Sequence, residues 1–359
     1  MFLEGVLSFL SKKSGSYLGI DIGSSAVKCV ELVGSIGSPK IKSWGIEPLE
    51  SGTIEEGSIT RLEDVVTSLD SLLKRCRVKS NNVAVAVSSA HAITKVISMP
   101  NDLTEDDIED QVEMEASHFV PYAIDDVNLD FTILGPTQKN PDNEQDVLIA
   151  ACRTDIIDDY VSVIEEVGLQ PNVVDIDTYA IERLYMNQVG VKRAKKDTKA
   201  TAVFDIGVNS TKLVVFQGGT AIFNRQQKFG GSQLINLARQ EYGLTAKEAL
   251  AIIESESPPS DIREKVYQPF LATTSSELAR ALQFFYSSSK HNEVSRILFT
   301  GGVSGLPQFS KDLGKVMKVK ANDLIDFSKF TAQGNKDAIM SRMGRLSVAA
   351  GLSMRGLEG

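Results

Sequence analysis

Two stretches of the chain hold the residue types from which a phosphate site can be built. The first, LGIDIGSSAVKCVEL at 18–32, offers Asp21, Gly23, Ser24, Ser25 and Lys28. The second, AVFDIGVNSTKLVVF at 202–216, offers Asp205, Gly207, Val208, Asn209 and Lys212. Aligned on Asp-Ile-Gly, Asp21 matches Asp205, Gly23 matches Gly207, Lys28 matches Lys212 and Val30 matches Val214. Each stretch reads as strand, tight turn, strand: an apolar run ends in an acid, a glycine and small polar residues follow, and a β-branched run returns. A glycine turn lets a ligand lie close to the backbone, and inward-pointing N–H groups can hold an anion. An acid beside a phosphate needs a cation between them, so Asp21 and Asp205 suggest Mg²⁺ with its retained waters. The plainer alternative is two ordinary hairpins whose acids cap turns, and one short motif alone would not decide between them. Two copies in register, one opening each half of the chain, favour a phosphate clamped by both.

The elements that must position these turns follow from periodicity. After the first hairpin, 40–48 reads as a strand and 61–77 as an amphipathic helix with Leu62, Val65, Val66, Leu69, Leu72 and Leu73 at helical spacing. A strand follows at 82–87. Next comes a strand at 94–99, stopped by Pro100, and an acidic helix from Thr104, with Thr104 as N-cap and Asp107 three residues on. The acids of that helix read as a solvated face or a recognition surface. Strands at 127–134 and 146–151 flank a turn rich in Gly, Pro and Asn, and a helix at 155–167 is closed by Gly168. A strand at 173–177, a helix at 178–188 and a basic, apolar-poor linker at 191–200 complete the first half.

The second hairpin starts at once after that linker. Downstream, 221–228 is a strand, Gly230-Gly231-Ser232 opens a helix at 233–242, and a helix at 244–255 begins with a capping box of Thr245 and Glu248. A long helix spans about 263–290. The short strand RILFT at 296–300 feeds GGVSGLPQF at 301–309, and a closing helix lies around 341–352. Paired glycines after a buried strand let backbone approach a flat base or ribose; a strand-to-helix turn of any α/β protein is the alternative.

Composition bounds the possibilities. A chain of 359 residues exceeds what one hydrophobic core usually serves, so two or more domains are expected. An apolar share of 42% and a charged share of 24% are those of a globular protein. A net charge of −9 argues against a nucleic-acid partner. Cys29, Cys76 and Cys152 include no CxxC pair and read as buried free thiols of a reducing compartment. His91, His118 and His291 form no metal spacing. No run approaches bilayer-spanning length. Residues 1–16 read as a leader; their apolar pattern, ending in Lys12 and Lys13, would make a short surface helix that binds membrane weakly by itself.

The paired hairpins followed by the Gly-Gly turn, in this order, resemble the signatures of the actin superfamily, which takes in actin, sugar kinases, heat-shock chaperones and FtsA. The extra elements after the strand at 82–87 resemble the placement of FtsA's additional subdomain. Three strings narrow the resemblance further: EMEASHFVPYAIDDVNLDF, AACRTDIIDDYVSVIEEVGLQPNVVDID and GRLSVAAGLSMRGLEG are similar to segments of the type IV pilus assembly protein PilM family. That resemblance runs from Leu18 to Gly356.

The resemblance implies an α/β, actin-like fold of two duplicated ribonuclease H-like domains, an ATPase fold with an FtsA-type α+β insertion. The first domain is expected over 17–93 and 172–198, the insertion over 94–171, and the second domain over 199–359 with a subdomain at about 230–295. Implied cofactors are ATP or ADP with Mg²⁺. Lys28 takes the place of the phosphate-contacting lysine of actin; Lys212 has no such counterpart and reads as solvated or structural. The expected cofactor-binding residues are Asp21, Gly23, Ser24, Ser25, Lys28, Gly207, Val208, Asn209, Gly230, Gly231, Gly301, Gly302 and Val303, with Glu277 and Arg280 gripping ribose and adenine as in related folds. Asp21 and Asp205 would serve the metal.

Turnover is expected to be weak at most. Asp205 and Asp177 are the catalytic candidates; Asp175 or Asp177 could orient water, and Asp177 could equally cap the helix that follows it. The implied partner is the cytoplasmic N-terminal tail of PilN, bound by the insertion. It would hold the chain at the cytoplasmic side of the inner membrane, with other platform proteins and the assembly ATPases as further partners. Two other functions stay open. A sugar-type kinase would need a carboxylate base and polar sugar contacts, and no such cluster lies near either turn. An FtsA-like filament protein would be expected to carry a linker and an amphipathic helix after its second domain.

Overall fold

The computed structural model describes residues 16–137, 139–255, 257–332 and 336–357. The leader expected over 1–16 falls, but for Ser16, outside them. The chain divides into two compact units, 1–183 with 348–359, and 184–347.

The first unit is built around the hairpin of β1 (Leu18–Gly23) and β2 (Ala26–Ser35), which places Asp21 directly opposite Lys28 and leaves Ser24-Ser25 as the turn. Strand β3 (Ser38–Pro48) continues the antiparallel ladder on β2. Beyond it, β4 (Ile54–Glu55) and β5 (Ser58–Ile59) make a small hairpin whose turn residues, Glu56 and Gly57, both have positive φ, as a two-residue turn of type I′ requires. Helix α1 (Leu62–Cys76) buries Val65, Leu69 and Leu72, one face at helical spacing. Strand β6 (Asn82–Val87) runs parallel to β1.

The inserted part follows. Strand β7 (Ala92–Pro100) and helix α2 (Glu105–Phe119) lead into β8 (Val127–Pro136) and β9 (Glu144–Arg153), which form a three-stranded sheet in the order β7-β9-β8. The N-cap expected at Thr104 is formed, and Asp107 completes it as a capping box. One face of α2 lays Ile108, Val112 and Ala116 on the sheet, against Met99, Val147, Ile149 and Ala151. Helix α3 (Thr154–Glu166) and β10 (Gln170–Ile176) return to the main sheet, whose order runs β10-β6-β1-β2-β3. Helix α4 (Asp177–Val189) leaves β10 with Asp177 as its first residue rather than its cap.

The helix Ser347–Met354 also packs on this unit. Small residues let it press in: a β-carbon on Gly19 would collide with the Ala349 carbonyl, and one on Gly351 with that of Ala180. Ser353 Oγ donates to Tyr17 O at 2.7 Å and accepts from Leu32 N at 2.8 Å. The expected closing helix at 341–352 is thus a 3₁₀ turn, Met343–Leu346, followed by this later helix.

Near the start of the second unit a helix stands where a linker was expected. Residues Val191–Lys196 form helix α5, entered through Gly190 at φ 86° and anchored by Ala194, which is fully buried. Strands β11 (Thr201–Ile206), β12 (Thr211–Gln217) and β13 (Thr220–Gln227) repeat the β1-β2-β3 meander. Helices α6 (Ser232–Tyr242) and α7 (Ala246–Ile253) follow, α7 with its Thr245–Glu248 capping box formed. The long helix opens as a π-turn at Arg263–Tyr267 and continues as α8 (Gln268–Ser288). Strand β14 (Arg296–Thr300), helix α9 (Phe309–Met317) and β15 (Ala321–Asp323) complete a sheet ordered β13-β12-β11-β14-β15. That order matches β3-β2-β1-β6-β10 of the first unit, strand for strand. Phe204, Phe270, Phe285, Phe299 and Phe309 fill its core, and each such buried ring is worth roughly 1.5–3 kcal/mol of transfer free energy.

Candidate functional site

In the first unit, the cross-strand pairing of Asp21 with Lys28 puts opposite charges on one face of the hairpin. Lys28 Nζ reaches Asp21 Oδ2 at 2.8 Å, and both side chains are more than four-fifths buried. A β-carbon on Gly23 would lie 2.6 Å from that ammonium, so glycine is what lets the lysine lie over the turn. The amides of Ser24 and Ser25 meet no backbone acceptor among the described residues. Carboxylate, ammonium and open amides fit the phosphate of a Mg-nucleotide: the amides and Lys28 suit its oxygens, and Asp21 suits the metal's water shell.

Asp177, 5% exposed, accepts from the Ser89 amide at 3.1 Å. Asp175 is fully buried and lies between Arg355, at 3.0 Å, and Arg183, at 3.3 Å. That ion pair, satisfied from both sides, ties β10 to α4 and to the end of the chain. Tyr160, which sequence reasoning did not single out, is fully buried and donates to Gly57 O at 3.1 Å. Burial pushes its phenol pKa up, and the Asp177 and Asp21 carboxylates push in the same direction. His91 bonds the same small turn, with Nε2 2.9 Å from Glu56 O.

In the second unit, Asp205 again faces Lys212 across the ladder. Their charged atoms are 3.9 Å apart and both side chains are more than four-fifths buried, so Lys212 is a structural rather than a solvated lysine. The turn is closed by Gly207 N donating to Ser210 O at 2.9 Å, while the amides of Val208 and Asn209 meet no backbone acceptor among the described residues. Gly230 and Gly231 lie directly on this turn: Gly231 N donates to Gly207 O at 2.9 Å and Ser232 N to Val208 O at 2.8 Å. A β-carbon on Gly230 would sit 2.5 Å from both carbonyl oxygens.

Gly301, at φ 86°, closes the other flank, where a β-carbon would lie 2.5 Å from Asp205 Oδ1 and from Ile206 O. Val303 is buried beside Gly231. Gly302 is open, with Arg345 Cγ the nearest group to its missing β-carbon at 4.0 Å. Gly344 O accepts from Gly301 N at 2.9 Å, and Arg345 pairs with Glu254.

Two distant segments, at Gly230-Gly231 and at Gly301, therefore meet the turn that follows Asp205, and Gly344 backs the second of them. Gly344 and Arg345 were missed as members of the site, although GRLSVAAGLSMRG had been noted for its resemblance; nothing in its spacing pointed to the Gly301 turn. Glu277 and Arg280 pair with each other at 3.1 Å on α8, and no hydrogen bond or ion pair joins either to the glycine turns among the described residues.

The family model described as type IV pilus assembly protein PilM matches residues 19–357. The chain belongs to the PilM family. Among solved structures, it is similar to a PilM-PilN type IV pilus biogenesis complex, with 24% identity over 97% of this chain and 100% of that one and a TM-score of 0.79. It is similar also to the ethanolamine utilization protein EutJ from Carboxydothermus hydrogenoformans, with 12% identity over 98% and 93% of the two chains and a TM-score of 0.57. The fold is the actin-like ATPase fold.

This PilM-family chain has a second feature away from the turns. Where the inserted sheet meets the main sheet of the first unit, Ala92, Asn128, Asp130, Ala150, Val174, Asp175 and Ile176 line a small cleft with a cavity volume of about 10 Å³. Asn128 is nine-tenths buried there, and its Nδ2 has no hydrogen-bond partner. A buried amide donor left unmade costs about 1–3 kcal/mol, so this group needs an acceptor from water or from a ligand. Among the described residues, no helix is long and apolar enough to cross a membrane, and no group of three or more His, Cys, Asp or Glu could hold a metal ion.

Proposed function

We propose that the chain is an actin-like scaffold of type IV pilus assembly that docks an extended peptide in the cleft of its first unit and takes Mg-nucleotide as a second ligand. The carrying observation is the unpartnered amide of Asn128 in a cleft lined mostly by apolar side chains, with Asp130 and Asp175 also in its lining. A peptide carbonyl satisfies that donor, and Ala92, Ala150, Val174 and Ile176 give an apolar surface on which a side chain of the same peptide packs, a combination of backbone bonds and side-chain contacts familiar from extended-peptide recognition. The peptide is the cytoplasmic N-terminal tail of PilN, for which the PilM-PilN pairing of the similar solved complex is the support. The insertion, 94–171, is on this reading the partner-binding subdomain. A membrane-embedded partner would hold the chain at the cytoplasmic face of the inner membrane. Further platform proteins and the assembly ATPases are candidate second partners.

For the nucleotide, each unit offers a turn of its own: the Ser24 and Ser25 amides and the Lys28 ammonium in the first, and the Val208 and Asn209 amides in the second, suit phosphate oxygens. Asp21 in the first unit and Asp205 in the second would each suit the water shell of Mg²⁺, which neutralises phosphate charge when bound. Gly301, Gly302, Val303 and Arg345 take the base and ribose, with Glu277 and Arg280 as the other candidates. Hydrolysis is slow because Asp175 is engaged by two arginines and Asp177 by the Ser89 amide, so no carboxylate of that strand end is left to aim water. The nucleotide then acts as a conformational ligand.

The test is a calorimetric titration of the PilN N-terminal peptide into the full chain. Asn128→Ala should weaken binding about tenfold, the equivalent of one hydrogen bond of about 1.4 kcal/mol. Ala92→Trp, which fills the cleft mouth, should abolish binding, and both variants should keep Mg-ATP affinity. Peptide capture at parental affinity by both would remove the cleft from the assignment.

A further inference from the structure

The three free cysteines are not equivalent. Cys29 on β2 stands opposite Gly45 on β3. Side chains of a directly opposed pair project to the same face, with β-carbons about 4.5–5.5 Å apart. Gly45 has no side chain, and the space its β-carbon would take is filled by Cys76 Sγ, with Leu72 Cδ1 of α1 beside it. The Cys76 sulfur therefore sits where the cross-strand neighbour of Cys29 would begin, on the face to which Cys29 points.

The two thiols differ in access. Cys29 is fully buried, whereas Cys76, the last residue of α1, is half-buried and donates to Trp44 O at 3.2 Å. Each is the largest single influence on the other's ionisation, which raises the pKa of Cys29 and lowers that of Cys76; the Arg75 guanidinium helps to lower the latter. Cys152 stands apart, its thiol pushed up to about 12, chiefly by burial.

We propose that Cys29 and Cys76 are a reactive dithiol that hydrogen peroxide converts to a disulfide joining β2 to the end of α1. In the first step the Cys76 thiolate attacks one peroxide oxygen; the O–O bond breaks, hydroxide leaves, and Cys76 becomes a sulfenic acid. In the second, Cys29 gives up its proton, its sulfur attacks the Cys76 sulfur, and the S–O bond breaks to release water. Two thiols and one peroxide yield one disulfide and two waters, and a reducing dithiol reverses the change by exchange. Cys29 adjoins Lys28 in β2, so oxidation fixes the strand that carries the phosphate-turn lysine. The inference goes beyond the scaffold reading and does not rest on it.

The test treats the reduced full chain with hydrogen peroxide, then alkylates it and maps its peptides. The expected result is loss of two of the three alkylatable thiols, a mass lower by about 2 Da for the two hydrogens removed, a linked peptide pair holding residues 29 and 76, a higher Tm, and recovery of all of these with dithiothreitol. Cys29→Ser should stop at a Cys76 sulfenic acid that dimedone traps. Cys76→Ser, a change at a half-buried position, should resist the same dose. Three thiols still alkylated in the parent, oxidation of Cys152 alone, or Cys76 driven to sulfinic acid with Cys29 still reduced would each overturn the proposal.

Discussion

The Asp21 hairpin and the Asp205 hairpin share register, acid and lysine, yet they hold their turns by different means. In the first, a side chain does the organising: Lys28 closes on Asp21 at 2.8 Å and fills the space that Gly23 leaves. In the second, the lysine stands back at 3.9 Å, and the turn is held by backbone from the segments at Gly230-Gly231 and Gly301. Duplication supplied one hairpin twice, and the surroundings decided whether its turn is shaped by a charge or by close-packed main chain. The first should therefore be sensitive in binding and tolerant in stability, and the second the reverse.

The largest effect is expected where main chain meets main chain. Gly301→Ala combines a left-handed φ with a β-carbon 2.5 Å from Asp205 Oδ1 and Ile206 O. Overpacking and backbone strain together should cost about 3 kcal/mol or more in denaturant unfolding. Gly230→Ala, crowded by two carbonyl oxygens but free of the φ penalty, should cost somewhat less, about 1–3 kcal/mol. Gly23→Ala should cost under about 1 kcal/mol, because its β-carbon meets only the end of a flexible lysine; its effect should appear as weaker Mg-ATP binding once Nζ is displaced. A large stability loss at Gly23, or none at Gly301, would erase the contrast.

The smallest effect lies away from both turns and serves as their control. Burial pushes the Glu182 carboxyl up to about 7 from 4.5; Arg183 opposes the shift and Asp175 adds to it. A carboxyl raised in the folded state favours the protonated form. The contribution of Glu182 to stability should therefore be fullest below pH 4.5 and be lost as pH rises through 7. Glu182→Gln should flatten that slope in Tm measured across the range, without changing nucleotide affinity. An unchanged slope would remove Glu182 as its source.

Much of this architecture was legible because local rules and global fold agree. The repeated Asp-Ile-Gly strings, the strand-helix alternation and the capping boxes at Thr104 and Thr245 each announce an element by its own residues. What stayed hidden depends on contacts between distant segments. Gly344 and Arg345 join the Asp205 site only through the Gly301 turn. Asn128 reads as one more polar position of an alternating strand until the cleft leaves its amide without an acceptor. Cys29 and Cys76 share a space only because Gly45 lacks a side chain. The basic run at 191–196 reads as a linker from its charges, and only the burial of Ala194 reveals why it coils into a helix.

The most direct test of the claim that both turns bind nucleotide, the first through its lysine, is one calorimetric series: Mg-ATP titrated into the parent, Lys28→Ala and Lys212→Ala. The 2.8 Å lysine over the open Ser24-Ser25 turn should matter most. Lys28→Ala is expected to lose at least about tenfold in affinity, near 1.4 kcal/mol, and Lys212→Ala about threefold or less. Parental affinity in Lys28→Ala, or a larger loss in Lys212→Ala, would contradict the account.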